Sequence, residues 1–187
     1  MRRGFKAESE RRAIAARQSL GLVDLDVLDP WLYADYLGVI VLDPRDLPLE
    51  PEHLEQLLER DPDSWSGMTL FEDGEHVVVL NTSHGKPRQR ATLMHELAHI
   101  ILDHPPADVD VSPSGLVLLS DYSVEQEEEA DWLGGALLLP EPAILHHRTA
   151  GHSIASLSQI YGISVELCTW RCRMTGVEKR LAFRKRA

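Results

Sequence analysis

The sequence predicts an α+β fold in which a short antiparallel or mixed sheet packs on a pair of helices, with a helical appendage at the C-terminus. Three observations lead to it. Residues 67–81 read as strand, turn and strand. Residues 86–102 run on after Pro87 without Gly or Pro and present a broad apolar face. An acidic stretch from Glu125 then opens a second long helix that carries the small residues Ala130 and Gly134. The 187 residues, 43% hydrophobic and 26% charged, suffice for one domain with a small extension and a core of ordinary size. That composition excludes collagen-like, disulfide-stapled and wholly disordered chains.

Each element has a local cause. Residues 5–19 have helix-forming composition, and Gly21 stands where a helix stop is expected. Asp29-Pro30 supplies a cap and a first helical residue for a helix closed by Gly38, and the β-branched run 39–42 follows as a strand. Residues 51–60 make a short acidic helix. The strands 67–71 and 76–81 flank an Asp73-Gly74 turn, the strongest hairpin signal in the chain. Three prolines mark 104–120 as a loop, and Ser123 or Asp121 can cap a helix that runs to Leu138 and stops at Pro140 and Pro142. Two short helices are expected near 153–160 and 164–174. The organisation that results is an N-terminal helix (1–25), a core (26–140) and a C-terminal helical subdomain with a basic tail (141–187).

Charge is divided unevenly. Residues 1–170 hold 12 basic and 29 acidic side chains, and 171–187 hold 7 basic and one acidic. The body therefore repels nucleic acid, and only the tail, with Lys179, Arg180, Arg184, Lys185 and Arg186, would attract it. No apolar run reaches the roughly 18 to 20 residues of a membrane span. The first twelve residues alternate charges without an apolar segment behind them, so a cytoplasmic location is expected. Cys168 and Cys172, four apart on a helical stretch, read as reduced thiols on one face.

The chemistry lies in His95-Glu96-Leu97-Ala98-His99. Histidines four apart project from one helical face, close enough for both imidazoles to reach one zinc, and the intervening Glu96 can exchange a proton with water. The surroundings reinforce the pattern, because Leu93, Met94, Leu97, Ile100 and Ile101 make the helix apolar, and bare imidazoles and a carboxylate are costly to bury there. A third ligand is then required. His104 is nearest, but Leu102 and Pro105 depart from the H-E-x-x-H-x-x-G-x-x-H arrangement. On the acidic helix, the face that approaches the first helix should hold Ala130 and Gly134. Counting back along that face gives Glu127 as the third ligand, with Glu129 its rival. Asp131, one turn on, is placed to accept the second ring N–H of a ligand histidine. Tyr122, His146, His147 and His152 are candidates to stabilise an oxyanion.

The run from Arg88 to His99, followed by Glu127-Glu128-Glu129-Ala130-Asp131 and Leu137-Leu138-Leu139-Pro140, resembles the ImmA/IrrE family of zinc metallopeptidases. That family's second motif is approximately E-x-E-A-N-x-F-A-A-x-L-L-M-P. Departures are Ala91, Ala98, Asp131, Leu133 and the Gly134-Gly135 pair, and none removes a ligand or the base. The likeness covers 28–140. It implies a small zincin-like fold of gluzincin type with one Zn2+ per chain, Mn2+ being the alternative metal. It also implies His95, His99 and Glu127 as ligands, Glu96 as general base, and a helix-turn-helix transcriptional repressor as substrate. Water is the expected nucleophile, so no acyl-enzyme forms. The strand 76–81 offers an extended substrate an edge to pair with. The alternative is a non-catalytic, metal-stabilised or DNA-associated binding module, for which residues 152–174 have helix-turn-helix spacing. An intact Glu96 argues for catalysis, since a scaffold has no use for it.

Overall fold

In the computed structural model, the chain is described for residues 1–72, 74–105, 109–111, 117–119 and 122–184. It is an α+β fold whose small sheet is built from β1 (Ile40–Leu42), β2 (Gly67–Glu72) and β3 (Glu75–Leu80) in the order β1-β3-β2. β3 pairs antiparallel with β2 and parallel with β1, so the sheet is mixed. The expected hairpin is present, with Asp73 outside the described residues. β3 is the central strand, with Val78, Val79 and Leu80 buried and both edges occupied. This corrects the expectation that residues 76–81 could receive a substrate strand: among the described residues the outer strands of the sheet are β1 and β2.

Helix α4 (Lys86–Ile101) lies on the sheet against β2 and β3, and α5 (Val124–Leu138) packs on its other side with α1 (Phe5–Ser19) behind. The core runs between these layers through Leu93, Met94, Leu97, Leu133, Leu137 and Phe5, all essentially without solvent exposure. Caps explain where the elements begin. Asp29 accepts from the N–H groups of Trp31 and Leu32 to open α2 (Pro30–Leu37), and Ser123 forms a reciprocal capping box with Gln126 at the head of α5. Arg90 reaches from α4 to Asp29 at 2.8 Å and joins the two helices.

Three elements differ from expectation. The stretch 104–120 contains the paired strands β4 (Val109–Val111) and β5 (Val117–Leu119); residues 106–108, 112–116 and 120–121, with the alternative cap Asp121, lie outside the described residues. Pro142 does not end structure; it sits in the first turn of α6 (Glu141–Thr149), where its missing N–H costs nothing. Part of the basic tail is helical, α9 (Val177–Arg184), while Lys185 and Arg186 lie outside the described residues. α3 (Pro51–Glu55), α7 (Ile154–Tyr161) and α8 (Val165–Met174) are placed near expectation.

Two buried arginines tie the elements together, Arg171 joining α8 to α1 and Arg17 joining α1 to α5. Arg171 on α8, fully enclosed, donates to the Leu139 carbonyl at 3.0 Å and to Glu10 of α1 at 2.5 Å. Arg17 donates to the carbonyls of Ala13, Asp26 and Leu137. Among the described residues no helix is long and apolar enough to cross a membrane.

Candidate metal centre

Two helices deliver the site. α4 places His95 and His99 one turn apart, and α5 crosses it closely enough to bring Glu127 to them. The crossing depends on Gly134: a Cβ there would lie 3.2 Å from the Met94 carbonyl oxygen and 3.4 Å from the Cα of His95. The absent side chain lets the two backbones approach, as the small residue in the sequence suggested.

The two Nε2 atoms face each other at 3.1 Å. Glu127 sets one carboxylate oxygen 3.3 Å from Nε2 of His95 and the other 3.6 Å from Nε2 of His99. Donor atoms of all three residues fall within 4.8 Å of one another, and they form the one metal-competent group found among the described residues. Ligands at zinc bond lengths of about 2.0 to 2.1 Å in a tetrahedron stand roughly 3.3 Å apart, close to the separations observed. The donor set, two imidazole nitrogens and a carboxylate, also suits that ion, so the residues fit a metal of this kind.

The electrostatics of the three differ. Burial and the neighbouring His95 push His99 down to about 3, so it is a neutral imidazole, the form that ligates. Desolvation works against charge on His95 as well, but hydrogen bonds to Asp131 and Glu127 outweigh it and raise the group to about 10. Asp131 accepts from Nδ1 of His95 at 3.1 Å, which leaves Nε2 turned toward Glu127. The His95 contact holds Glu127 below the usual carboxylate range.

Glu96 is almost fully buried on the face toward the sheet, and that burial raises its pKa. Its Oε2 accepts a 2.7 Å hydrogen bond from Oγ1 of Thr69 on β2, which partly offsets the rise. Gly67, on the same face of β2, lets the strand come close: a Cβ there would meet the Thr92 side chain at 2.8 Å and Cγ of Glu96 at 3.6 Å. Nothing in the pattern of the hairpin marked Thr69 as a partner of Glu96. The one available signal was a polar residue flanked by Met68 and Leu70 in a strand that otherwise reads as core.

The other candidates separate. Tyr122 stacks on His99 with ring centroids 3.7 Å apart and a 19° angle, and burial, with the charges of Glu96 and Glu127, pushes its hydroxyl up to about 12. His146, His147 and His152 pack instead with one another and Tyr161, at the junction of α6 and α7. Glu129 does not join the group; its carboxylate faces His104 and accepts from the main-chain N–H of Arg2 at 3.1 Å. His104 sits behind His99, its Nδ1 3.0 Å from Nδ1 of that ring. The helical hairpin of α7 and α8 exists, but Arg171 is enclosed and Trp170 packs edge-on against Trp132. One of the two arginines that α8 could have offered to DNA is thus consumed in packing. Cys168 and Cys172 are both free and buried on α8.

The model of the M78 peptidase family, described as an IrrE N-terminal-like domain, matches residues 52–173, more than half of the chain. The chain belongs to this family. It is a family of metallopeptidases, and its matched span includes both helices of the site in this IrrE-like chain. Among solved structures, a Mycobacterium tuberculosis transcriptional regulator, 16% identical, aligns with a TM-score of 0.55 over 88% of this chain and 46% of the regulator. The IrrE-like chain thus spans about half the length of that protein, and the likeness is one of fold. No curated protein matches the sequence.

Proposed function

We propose that this IrrE-like chain is a zinc-dependent endopeptidase whose substrate is a helix-turn-helix transcriptional repressor. The observation that carries the reading is the convergence of His95, His99 and Glu127 beside a buried Glu96 in a metallopeptidase family. The acidic body of the chain adds a reason for the substrate class, since a DNA-binding protein presents a basic surface.

His95 and His99 would hold zinc through Nε2, and Glu127 through its carboxylate. Bound there, the ion supplies Lewis acidity, which polarises the scissile carbonyl and brings the pKa of water toward about 7. Glu96 takes the proton from the attacking water and returns it to the leaving amine. Thr69 occupies Oε2 of that carboxylate and leaves Oε1 for the proton. Burial raises Glu96, which brings its affinity for a proton closer to what acceptance and return require. Asp131 fixes the proton of His95 on Nδ1. Tyr122, protonated at neutral pH and stacked on His99, is the one side chain of the four oxyanion candidates that lies at the site. An extended substrate pairs with the free edge of β2, the strand that also carries Thr69.

The test is Glu96→Gln with a co-expressed repressor. Zinc content and repressor binding should persist while cleavage falls by roughly 10² to 10⁴-fold. A variant that still cuts removes Glu96 from the role of base. A wild type that binds zinc and repressor but leaves every repressor intact favours the binding-module alternative.

A further inference from the structure

Behind His99, on the side away from Glu127, a second set of polar groups is packed with no part in the reaction derived above. α4 ends in a Schellman turn: the N–H of Asp103 bonds to the Ile100 carbonyl and that of His104 to the His99 carbonyl, both at 3.0 Å. Asp103 takes the left-handed conformation this turn needs, with φ of 55°, the one non-glycine residue among those described to do so. The reversal sends the His104 ring back along the helix, so that its Nδ1 lies 3.0 Å from Nδ1 of His99. Nε2 of His104 in turn faces Oε2 of Glu129 at 3.9 Å, with only 9% and 14% of the two side chains exposed. The main-chain N–H of Arg2 holds the other Glu129 oxygen at 3.1 Å.

We propose that His104 and Glu129 form a positioning relay that sets the tautomer and ring orientation of His99, and through it the affinity of the site for metal. This rests on the reading of His95, His99 and Glu127 as a metal site. A ligating Nε2 carries no proton, so the remaining proton of His99 is on Nδ1. It points at Nδ1 of His104, which must then be the bare, accepting nitrogen. The proton of His104 is accordingly on Nε2, directed at the carboxylate of Glu129. Every assignment in the chain follows from the one before, and each atom faces a partner of the right kind. Tyr122, stacked at 3.7 Å on the same ring, bars the rotation that would break the alignment. The sequence offered His104 and Glu129 as alternative ligands. The geometry gives them one joint role outside the ligand set.

The experiment is zinc affinity by chelator competition on the full chain, comparing wild type with His104→Phe, His104→Asn and Glu129→Gln. Histidine 15N shifts of the same proteins report the His99 tautomer without reference to activity. His104→Phe fills the space without accepting a hydrogen bond and should weaken zinc binding roughly 10- to 100-fold, with His99 no longer fixed as the Nδ1–H form. Asn keeps an acceptor near the position of Nδ1 and should restore most of the affinity. Glu129→Gln, which changes charge and not shape, covers the case in which the Phe variant does not fold, and should weaken binding by a smaller factor. Wild-type affinity and an unchanged His99 signal in the Phe variant, or in the Gln variant should Phe not fold, would overturn the relay. Absence of zinc binding in the wild type would instead overturn the metal-site reading beneath it.

Discussion

The hydroxyl of Thr69 and the carboxylate of Glu96 lie 2.7 Å apart on two different elements, so the orientation of an acid on α4 depends on the placement of a strand. A hydrogen bond to a charged group contributes about 1.5 to 3 kcal/mol. Thr69→Val, nearly isosteric, should therefore lower kcat by roughly ten- to a hundredfold while zinc affinity stays near wild type, and Thr69→Ser should recover most of it. Burial already lifts the Glu96 pKa and the threonine counters it, so the Val variant should also move the acid limb of the kcat/KM profile to higher pH. An unchanged profile would remove Thr69 from the site. At this scale His95, Glu96 and His99 could be read directly, because helical spacing alone puts two imidazoles on one face. Thr69 could not, since its partner is 27 residues away and the contact exists only once β2 lies against α4.

At the scale of elements, the meeting of α4 and α5 decides whether Glu127 reaches the two histidines. Gly134 permits it, and Val in its place would push a branched side chain against the Met94 carbonyl and the His95 backbone. Gly134→Val should cost about 1 to 3 kcal/mol of stability, as overpacking does, and weaken zinc binding because Glu127 withdraws with its helix. Thermal denaturation and chelator competition on one preparation check both; a loss of stability with wild-type zinc affinity would separate the crossing from the site. The small residues Ala130 and Gly134 made this crossing legible and led to Glu127. The rest of the layout was less so. β1 is three residues long, and its parallel pairing with β3 leaves no local signature, which is why residues 76–81 read as an available edge when they are the sheet's centre. Pro140 and Pro142 carry the same residue type whether a helix stops or starts, and here α6 begins between them.

For the molecule as a whole, the charged state of the metal-free site should govern how stability varies with pH. His95 loses affinity for its proton through desolvation but gains more from Asp131 and Glu127, ending near 10 against an ordinary value of 6.5. A group raised in this way contributes stability that is complete below about pH 6.5 and is lost as pH climbs toward about 10. Zinc held by His95, as proposed, would take the place of that proton, so the loaded chain should lack this decline. Melting midpoints of chelator-treated and zinc-loaded protein across pH 6 to 10 should diverge steadily; parallel curves would mean that the ion does not meet His95. The C-terminal helices should melt together with the core in either form, because Arg171 of α8 is enclosed and bonded to Glu10 of α1 and to the Leu139 carbonyl. The helical character of the region after residue 150 was visible in its spacing, but nothing in that spacing marked Arg171 as its buried link to α1.

The proposed activity requires a metal held by His95, His99 and Glu127. Elemental analysis of the purified wild type beside His99→Ala and Glu127→Ala tests that in one measurement. About one zinc per chain in the wild type, lost from both variants whose folded content is preserved, is the result expected. A wild type that takes up no metal when zinc is offered, or a Glu127→Ala protein that still holds a full equivalent, would contradict it.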